Sequence, residues 1–575
     1  MPFMVSPGVN FSEIDLTTTV GKGISTSVGA YAGNFQWGPV NERTLISNEV
    51  ELVDIFGKPT VDTYADFFSV SNFLQYTVAI WVVRIGDANS AVNLNATSGS
   101  IGIRVDNDAD FEYTPKSDSV GNWMARFPGD KGNSLAVAVC DASVTFTADI
   151  GITGNTSGSW SDYFDRVPGT SEQVSARGGS NDELHILVID EDGAFSGTKG
   201  TILERFAHVS RTPGAKAEDG TNNYFKDIIN QTSRYIRTGG SPTASTILGY
   251  DVSTPSLSTV WVSRQPIVET LSKGTDIITS NVTDEYITAY DMFSDPEQVD
   301  VALLISGNSN LTEAQSIIDI AIKRKDCVAF ISPRWADCQP GITATRVASN
   351  VVTYKNLLNR SSSYYVMDSG WKYQYDKYND VYRWLPLNAD IAGLCARTDA
   401  IRDPWWSPAG FNRGNIQGII KLTWNPNQAQ RDLIYKAGVN PVVSFPGEGT
   451  ILYGDKTGLQ RPSAFDRINV RRLFIILEKA ISTAAKYSLF EFNDAFTRAQ
   501  FRTMVEPFLR EVKGRRGIYD FLVVCDESNN TPEIIDNNEF VGDIYIKPSR
   551  SINFIQLNFV AVRTGVAFEE VVGKF

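Results

Sequence analysis

The stretch Val299-Asp300-Val301-Ala302-Leu303-Leu304-Ile305, followed by Thr312–Lys323 and then Cys327-Val328-Ala329-Phe330-Ile331, decides the fold of the central part of this chain. Two short apolar runs flank a segment in which apolar residues recur every three or four positions, which is the pattern of a strand, a helix and a second strand. A further helix is predicted just before them, over Glu285–Phe293. Because strands that alternate with helices pair in parallel, this stretch predicts an α/β body.

Toward the amino terminus the pattern first stays mixed and then becomes rich in strands. An amphipathic helix is predicted over Tyr64–Tyr76 and a buried strand over Ile80–Ile85. Farther along, Leu135–Val139 and Leu184–Ile189 have strand character and are separated by Gly, Ser and Asp, which are typical of long loops. These segments indicate a β-rich domain.

Toward the carboxyl terminus two long helices precede the last strands. The helices are predicted over Ser463–Tyr487 and Thr497–Val512, and the strands over Tyr519–Cys525, Gly542–Lys547 and Ser551–Val562. This order predicts a second, smaller α/β domain.

Both ends of the chain are predicted to be extended arms that can pair with another chain. Val9 and Phe11 alternate with polar residues near the start, and Val566, Phe568 and Val571 lie in an apolar tail at the end. Strands that have no partner within their own domain are templates for pairing between subunits. We therefore expect these five residues to belong to strands exchanged between subunits.

The predicted fold class is mixed α/β (α+β) and multi-domain, with a β-rich middle domain, α/β C-terminal domains and an extended arm at each end. The predicted divisions are residues 1–22, an N-terminal arm; 23–91 and 123–275, the β-rich middle domain; 92–122, a small outer insertion; 276–460, an α/β domain; and 461–575, an inner domain ending in an exchangeable strand.

Composition excludes several classes of function. The 575 residues are 42% hydrophobic and 21% charged, which is typical of a folded, water-soluble protein. A net charge of −14 disfavours nucleic acid and anionic lipid as partners, and the apolar runs are too short to span a membrane. The start lacks the pattern of a signal peptide. Five scattered cysteines without a C-x-x-C pair predict a reducing compartment, no disulfide and no zinc.

Residue patterns for catalysis or cofactor binding are weak. The two histidines, His185 in a predicted strand and His208 on a predicted helix, disfavour a catalytic triad or a metal site. The segment Gly449–Thr457 resembles a phosphate-binding loop, but Asp455 precedes the lysine and the intervening residues are strand-like. The acidic run Asp106–Asp110 lacks the glycine and glutamate of a calcium loop. We therefore predict no catalytic residue, no cofactor and no metal.

Two clusters remain as candidate contact surfaces. An aromatic cluster suits a subunit interface or internal packing, although such rings can also stack on sugars or bases; its members are Trp371, Tyr373, Tyr375, Tyr378, Tyr382 and Trp384. A basic stripe is predicted on one face of the Ser463–Tyr487 helix, opposite its apolar face; its members are Arg467, Arg471, Arg472, Lys479 and Lys486.

Several runs of this sequence resemble the tail sheath proteins of T-even-type contractile-tailed phages. The densest are Lys372-Tyr373-Gln374-Tyr375-Asp376-Lys377-Tyr378-Asn379-Asp380, Asp390-Ile391-Ala392-Gly393-Leu394-Cys395-Ala396-Arg397-Thr398-Asp399 and Phe465-Asp466-Arg467-Ile468-Asn469-Val470-Arg471-Arg472-Leu473-Phe474. Shorter ones are Ser6–Val9 with Glu13, Phe35–Pro39, Tyr453–Thr457 and Arg550–Asn553. One departure is the short segment 92–122, where those sheaths carry a sizeable outer domain, so any function of that domain is in doubt here.

The resemblance implies a structural subunit rather than an enzyme. Such a subunit stacks as six-membered rings around a tail tube, and the sleeve contracts to drive the tube through the host envelope. The implied partners are further copies of the chain, the tube protein, and the baseplate and tail terminator proteins. The implied location is the virion tail, with assembly in the host cytoplasm. Since the C-terminal domain of such sheaths lines the inner wall, Arg467, Arg471, Arg472 and Lys479 become candidates for contact with the tube.

Two other classes stay open on the residues alone. A glycan hydrolase could use two of the 66 acidic residues, whose mutual placement a sequence does not give. A carbohydrate-binding or receptor-binding protein could use the aromatic cluster. Glycan binding would favour this second class, and strong self-association without glycan binding would favour a sheath.

Overall fold

A computed structural model of the chain describes residues 26–86, 96–97, 104–113, 122–141, 144, 146–151, 158–238, 246–247, 250–251, 255–263, 266–276, 283–553 and 556. The strands are β1 (Gly29–Gly33), β2 (Arg43–Ile46), β3 (Ile80–Arg84), β4 (Ala96–Thr97), β5 (Trp123–Ala125), β6 (Leu135–Cys140), β7 (Glu183–Asp190), β8 (Thr201–Ser210), β9 (Ile236–Thr238), β10 (Thr246–Ile247), β11 (Tyr250–Asp251), β12 (Ile267–Ser272), β13 (Leu303–Ile305), β14 (Val328–Ile331), β15 (Tyr365–Met367), β16 (Trp371–Asp376), β17 (Val381–Pro386), β18 (Lys421–Leu422), β19 (Val442–Phe445), β20 (Gly449–Leu452), β21 (Ile518–Val524) and β22 (Asp543–Pro548). The helices are α1 (Glu49–Phe56), α2 (Tyr64–Leu74), α3 (Asp108–Tyr113), α4 (Glu172–Ala176), α5 (Phe225–Thr232), α6 (Thr283–Asp291), α7 (Leu311–Arg324), α8 (Trp335–Cys338), α9 (Ala344–Leu357), α10 (Asn388–Ile401), α11 (Gln428–Lys436), α12 (Ile468–Ala485), α13 (Ala495–Gly514) and α14 (Pro532–Asp536).

The chain divides into two units. Unit 1 comprises Met1–Pro404 and Pro408–Ala480, and unit 2 comprises Trp405–Ser407 and Ile481–Phe575. The mixed α/β, multi-domain class predicted from the sequence is confirmed.

A six-stranded sheet organises unit 1, in the order β15-β14-β13-β1-β3-β2. All of its pairs are parallel except β2 with β3. Strands β1 to β3 lie in the part of the chain that is predicted to belong to the β-rich middle domain. They pair instead with the α/β body, where β1 lies directly beside β13. The periodicity of a segment shows whether it forms a strand but not which distant strand it pairs with. The pairing of β1 with β13 could therefore not be predicted from local sequence.

Side chains of the six-stranded sheet are buried on both faces, as expected for parallel strands covered by helices. In β1, Ala30 and Ala32 pack into one apolar cluster with α7 and α9, whereas Tyr31 between them packs into another with α2 and α10. Successive side chains of a strand point to opposite faces, so β1 supplies both layers. The result is a sheet with a core on each side.

A seven-stranded antiparallel sheet forms between β3 and β13 in the chain, in the order β8-β7-β6-β12-β4-β5-β9. Trp123, Trp261 and Ile186 lie in its core. The buried Arg84 joins this β-rich part to the α/β body, because its guanidinium donates to the carbonyl oxygens of Phe35, Gly38 and Pro128 at 2.8, 2.9 and 2.8 Å.

Unit 2 contains α13, α14 and the antiparallel hairpin β21–β22. One face of α13 is buried through Phe501, Val505, Leu509 and Val512. The indole nitrogen of Trp405 donates to the carbonyl oxygen of Arg515 at 3.2 Å. Trp405 thereby attaches a three-residue piece of the chain to this unit.

Most of the predicted helices and strands are confirmed within one to three residues at each end. Of the strand predicted over Val299–Ile305, only Leu303–Ile305 is paired. The helix predicted from Ser463 begins at Ile468, after a short 3-10 turn over Ala464–Asp466. Residues 551–553 are not a strand, and the rest of the predicted last strand, apart from residue 556, lies outside the described residues.

Candidate functional site

The basic positions of α12 do not form one solvated stripe. Arg472 is 4% exposed. Its two terminal nitrogens donate to the carboxylate of Asp399 at 2.8 and 2.6 Å, and one of them also donates to the carbonyl oxygen of Thr26 at 3.1 Å. Burial by itself would lower the pKa of Arg472, but the negative charge of Asp399 outweighs it and raises the pKa. The Arg472 side chain therefore stabilises the interior of unit 1 and does not lie on its surface.

Arg471 is buried in a different way, between aromatic rings. Its guanidinium carbon lies 4.5 Å from the ring centre of Tyr364 and 4.3 Å from that of Phe465. A cation over the face of an aromatic ring is stabilised by the negative charge of that face. The expectation that Arg471 and Arg472 share a solvated face is therefore wrong, because each side chain is enclosed by a residue distant in sequence, Tyr364 for Arg471 and Asp399 for Arg472.

Arg467 and Lys479 keep about a fifth of their side chains exposed and are also paired within the subunit. Arg467 lies 3.2 Å from a carboxylate oxygen of Asp455, and Lys479 pairs with Asp300 and lies 3.9 Å from Asp326. Contact between the four candidates and a tube stays a prediction. Only Arg467 and Lys479 could take part in such a contact without leaving the interior.

The segment that resembles a phosphate-binding loop uses its lysine and its threonine for hydrogen bonds within the subunit. Its first four residues form β20, as predicted. The Lys456 ammonium donates to the carbonyl oxygen of Tyr435 at 2.8 Å, and the Thr457 hydroxyl donates to that of Phe465 at 2.9 Å. Both side chains that would bind a phosphate are therefore occupied.

The rings of the two histidines pack against each other, with 4.5 Å between their centres. His208 lies in β8 with φ of 52°, not on a helix as predicted; its strand is irregular next to β7, which local patterning does not reveal. His185 stacks on Phe164 at 4.0 Å between ring centres, and burial lowers its pKa to about 4. No group of three or more His, Cys, Asp or Glu suited to a metal occurs within the described ranges.

Four members of the aromatic cluster pack on one another on the β16–β17 hairpin, whereas Trp371 packs on Trp335 and Tyr378 packs on Phe67. The ring of Tyr373 lies 5.4 Å from that of Tyr382 and 4.6 Å from that of Trp384, measured between centres. The Lys421 ammonium lies 4.8 Å from the centre of Tyr373. The rings thus pack chiefly on one another, although Tyr375 and Tyr382 remain exposed. None of these contacts tests sugar binding.

Unit 2 exposes large apolar side chains on both strands of its small sheet. Its hairpin β21–β22 is a sheet of two strands in the part of the chain that the structure describes. Tyr519 and Leu522 on β21 and Tyr545 on β22 are exposed. Two strands rarely form a stable sheet alone, and apolar side chains on a sheet ordinarily face a partner. The hairpin therefore has the properties of a sheet that further strands complete.

The arm residues predicted to supply such strands, Val9, Phe11, Val566, Phe568 and Val571, lie outside the described residues. Their role as exchanged strands stays a prediction.

A buried pair of charges was missed by the sequence analysis. The Lys372 ammonium donates to Asp390 at 2.9 Å, and both side chains are fully buried. The Tyr76 hydroxyl also donates to Asp390, at 3.1 Å. Burial lowers the pKa of Lys372 and raises that of Asp390, and each charge opposes the effect of burial on the other. Lys372 and Asp390 each lie in one of the runs that resemble sheath proteins. A charged residue inside such a run was the only sequence signal that could have indicated the pair.

Comparison with known proteins defines the class. Three family models match: "Tail sheath protein Gp18 domain III N-terminal region" over residues 26–85, "Phage tail sheath protein central domain" over 280–458 and "Phage tail sheath C-terminal domain" over 460–561. These matches define a phage tail sheath protein.

Curated relatives extend this match to nearly the whole chain. The tail sheath protein of Vibrio phage KVP40 is 35% identical, over 99% of this chain and 100% of the relative. That of Enterobacteria phage T4 is 34% identical, over 99% of each chain. The chain therefore belongs to the tail sheath protein family of T4-like phages.

A solved structure agrees on the fold. The sheath tail protein from Listeria innocua superposes with a TM-score of 0.53 at 11% identity, over 92% of this chain and 96% of that one. No helix within the described residues is both long enough and apolar enough to cross a bilayer.

Proposed function

We propose that this chain is the repeating subunit of a contractile tail sheath, which polymerises as stacked six-membered rings around the tail tube and contracts to drive the tube through the host cell envelope. The similarity to tail sheath proteins over 99% of the chain supports this function. The subunit works by changing its packing and not by catalysing a reaction. It assembles in the host cytoplasm and acts in the virion tail.

The observation that carries the proposal is the two-stranded hairpin of unit 2 with its exposed Tyr519, Leu522 and Tyr545. Strand addition to such an edge joins chains through backbone hydrogen bonds, which do not depend on how the rest of each subunit is oriented. The arms with Val9 and Phe11 at one end and with Val566, Phe568 and Val571 at the other supply the added strands. Neighbouring subunits can then stay connected while their bodies rearrange.

Contraction in this proposal uses energy stored during assembly. A lattice trapped in an extended arrangement can convert to a more stable one once it is released at the baseplate, without hydrolysing a nucleotide. The internal use of Lys456 and Thr457 is consistent with this, since they are the residues that a phosphate-binding loop would need.

The partners in this proposal are further copies of the chain, the tube protein, the baseplate and the tail terminator. Toward the tube we propose weak contacts from Arg467 and Lys479, which are the exposed members of the original four. Weak charge contacts are sensitive to salt and release easily, as a sliding interface requires.

Negative-stain electron microscopy of the purified protein at rising concentration tests polymerisation. Long hollow tubes or stacked rings are the expected result. A variant with Val566→Asp, Phe568→Asp and Val571→Asp should stay dispersed, because charge on the apolar face of an added strand opposes burial. The matched control places the same three charges at exposed positions, Val78→Asp, Val260→Asp and Val262→Asp. Dispersed wild-type protein, even with tubes and baseplates added, would contradict the proposal.

Cosedimentation with preformed tail tubes tests the charge contacts. Arg467→Ala with Lys479→Ala should weaken binding at low salt, and Lys323→Ala, an exposed lysine of α7, is the control. Equal binding by wild type and both variants would remove these side chains from the tube contact.

A further inference from the structure

Three aromatic rings and one arginine form a patch on unit 1 that neither the arms nor the tube contact uses. We call Phe411, Phe445, Tyr453 and Arg431 the aromatic patch. Its rings lie 5.4 to 6.2 Å apart between centres, with Phe445 in contact with both others. Phe411 is 50% and Tyr453 45% exposed. Clustered Tyr, Phe and Arg are enriched in the centres of protein interfaces.

The backbone holds the patch in place. The Gly410 nitrogen donates to the carbonyl oxygen of Leu452 at 2.9 Å, which fixes the loop before Phe411 to the end of β20. The Tyr453 nitrogen donates to the carbonyl oxygen of Pro441 at 2.8 Å. Since the rings are fixed before any partner arrives, little conformational entropy would be lost on binding.

Arg431 lacks an acidic partner among the described residues. Its guanidinium carbon lies 5.9 Å from the ring centre of Phe445 and 5.7 Å from that of Tyr453, and its only side-chain hydrogen bond there is to the carbonyl oxygen of Pro426 at 3.2 Å. The patch therefore offers a positive charge above apolar rings, which complements a surface with exposed aliphatic and acidic side chains.

Such a surface exists on the same chain. Residues 49–62, which we call the acidic segment, contain four acids and one lysine. Val50 and Val61 are each 70% exposed. Asp54 is exposed and lies one helical turn after Val50, on the same side of α1. The segment thus combines aliphatic surface with negative charge.

We propose that the aromatic patch of one subunit binds the acidic segment of a second copy of this chain. The inference rests on the proposed function, because a sheath is built by head-to-tail contacts, and such a contact needs two different complementary surfaces on one chain. Arg431 pairs with Asp54 of the second copy, and the three rings cover the exposed Val50 on the same side of α1. This contact adds a body-to-body interface to the strand exchange through the arms.

Charge reversal and charge exchange test the contact. Arg431→Glu should raise the protein concentration needed for polymerisation about tenfold or more, as expected for loss of a close charge pair at an interface. Asp54→Arg should do the same. The double variant carrying both changes should polymerise within about threefold of wild type, because the two charges at every contact are then exchanged and remain opposite in sign. Lys436→Glu, a charge reversal of the same sign on α11 outside the patch, is the matched control.

The outcomes separate this inference from the proposed function. Thermal melts report the stability of the subunit itself. Asp54→Arg should melt as wild type does, and Arg431→Glu should lose only the contacts of Arg431 with the rings and with Pro426, since neither residue forms an ion pair within the described part of the subunit. If wild type forms no polymer at all, the proposed function fails. If wild type polymerises and Arg431→Glu does so equally well, or binds tubes less while polymerising normally, the patch does not bind a second copy. If both single variants fail and the exchange restores nothing, the acidic segment is not its partner.

Discussion

At the scale of single residues, unit 1 depends on charges that are buried and paired. The Arg472–Asp399 pair and the Lys372–Asp390 pair are nearly or fully enclosed. Removing one member of such a pair leaves the other charge without water or partner, which costs more than the pair itself contributes. The arginines of α12 therefore cannot be treated as surface charges in mutational work.

Arg472→Met is expected to lower the free energy of unfolding of unit 1 by about 3–5 kcal/mol, because Asp399 is left buried and unpaired. The double variant Arg472→Met with Asp399→Leu should recover most of this loss. Urea unfolding followed by circular dichroism measures both. Arg360→Met, which breaks the more exposed pair with Asp319, should cost under about 1 kcal/mol. Equal losses from Arg472→Met and Arg360→Met would contradict the argument.

The buried carboxyl group of Asp368 makes the stability of the fold depend on pH. Burial raises the pKa of Asp368 to about 7, although its carboxylate accepts hydrogen bonds from the Ser332 hydroxyl at 2.6 Å and the Gly370 nitrogen at 3.0 Å. The folded state therefore holds a proton that the unfolded state releases near pH 4. The stabilisation is complete below pH 4 and is lost as the pH rises to about 7.

Asp368→Asn removes this proton and should flatten the dependence. The stability of wild type relative to the variant is expected to fall between pH 4 and pH 7, by at most about 1.4 kcal/mol per pH unit, and to be constant above pH 7. Urea unfolding at several pH values in this range measures it, with the exposed Asp54→Asn as the control. A constant difference across the range would show that Asp368 is ionised throughout.

At the scale of elements, local sequence determined the helices and strands but not their partners. The helix predicted over Thr312–Lys323 is observed as Leu311–Arg324, and the strand predicted over Ile80–Ile85 as Ile80–Arg84. On α12 the period of 3.6 residues placed the basic positions opposite the apolar ones, yet Arg471 and Arg472 are buried together with Leu473. Asp399, which buries Arg472, is 73 residues away in the chain, so periodicity alone assigned that face to solvent. The burial of Arg472 is therefore visible only in the tertiary structure.

The first turn of α7 provides a test of element stability. The Asn310 side chain accepts from the Glu313 nitrogen at 3.0 Å, and the Glu313 carboxylate accepts from the Asn310 nitrogen at 2.8 Å, which forms a capping box. Asn310→Ala should lower the free energy of unfolding by about 1 kcal/mol, because the N–H group of Glu313 loses its acceptor. Urea unfolding measures it, with the exposed Thr312→Ala as control. An unchanged midpoint for Asn310→Ala would mean that water replaces the cap without cost.

At the scale of the whole molecule, every cysteine is enclosed. Cys140, Cys327, Cys338, Cys395 and Cys525 are all buried and unpaired. Burial raises the pKa of Cys327 and of Cys395 to about 12, so little of the reactive thiolate forms at neutral pH.

Iodoacetamide is therefore expected to alkylate none of the five thiols in the native protein within an hour at pH 8, and all five in concentrated urea. Mass spectrometry counts the modified sites. Rapid labelling of one cysteine in the native protein would locate a region that opens far more often than its burial predicts.

Strand β1 lies in the interior of the six-stranded sheet, and this position has a mechanical consequence. The Thr26 carbonyl is held by Arg472, and three residues later the chain becomes β1, which is parallel to β3 on one side and to β13 on the other. Tension applied through the N-terminal arm would pull β1 along its own axis. The hydrogen bonds to both neighbouring strands would then be loaded in shear and would have to break together. The arm would therefore transmit force to the body of the subunit without separating the strands one hydrogen bond at a time.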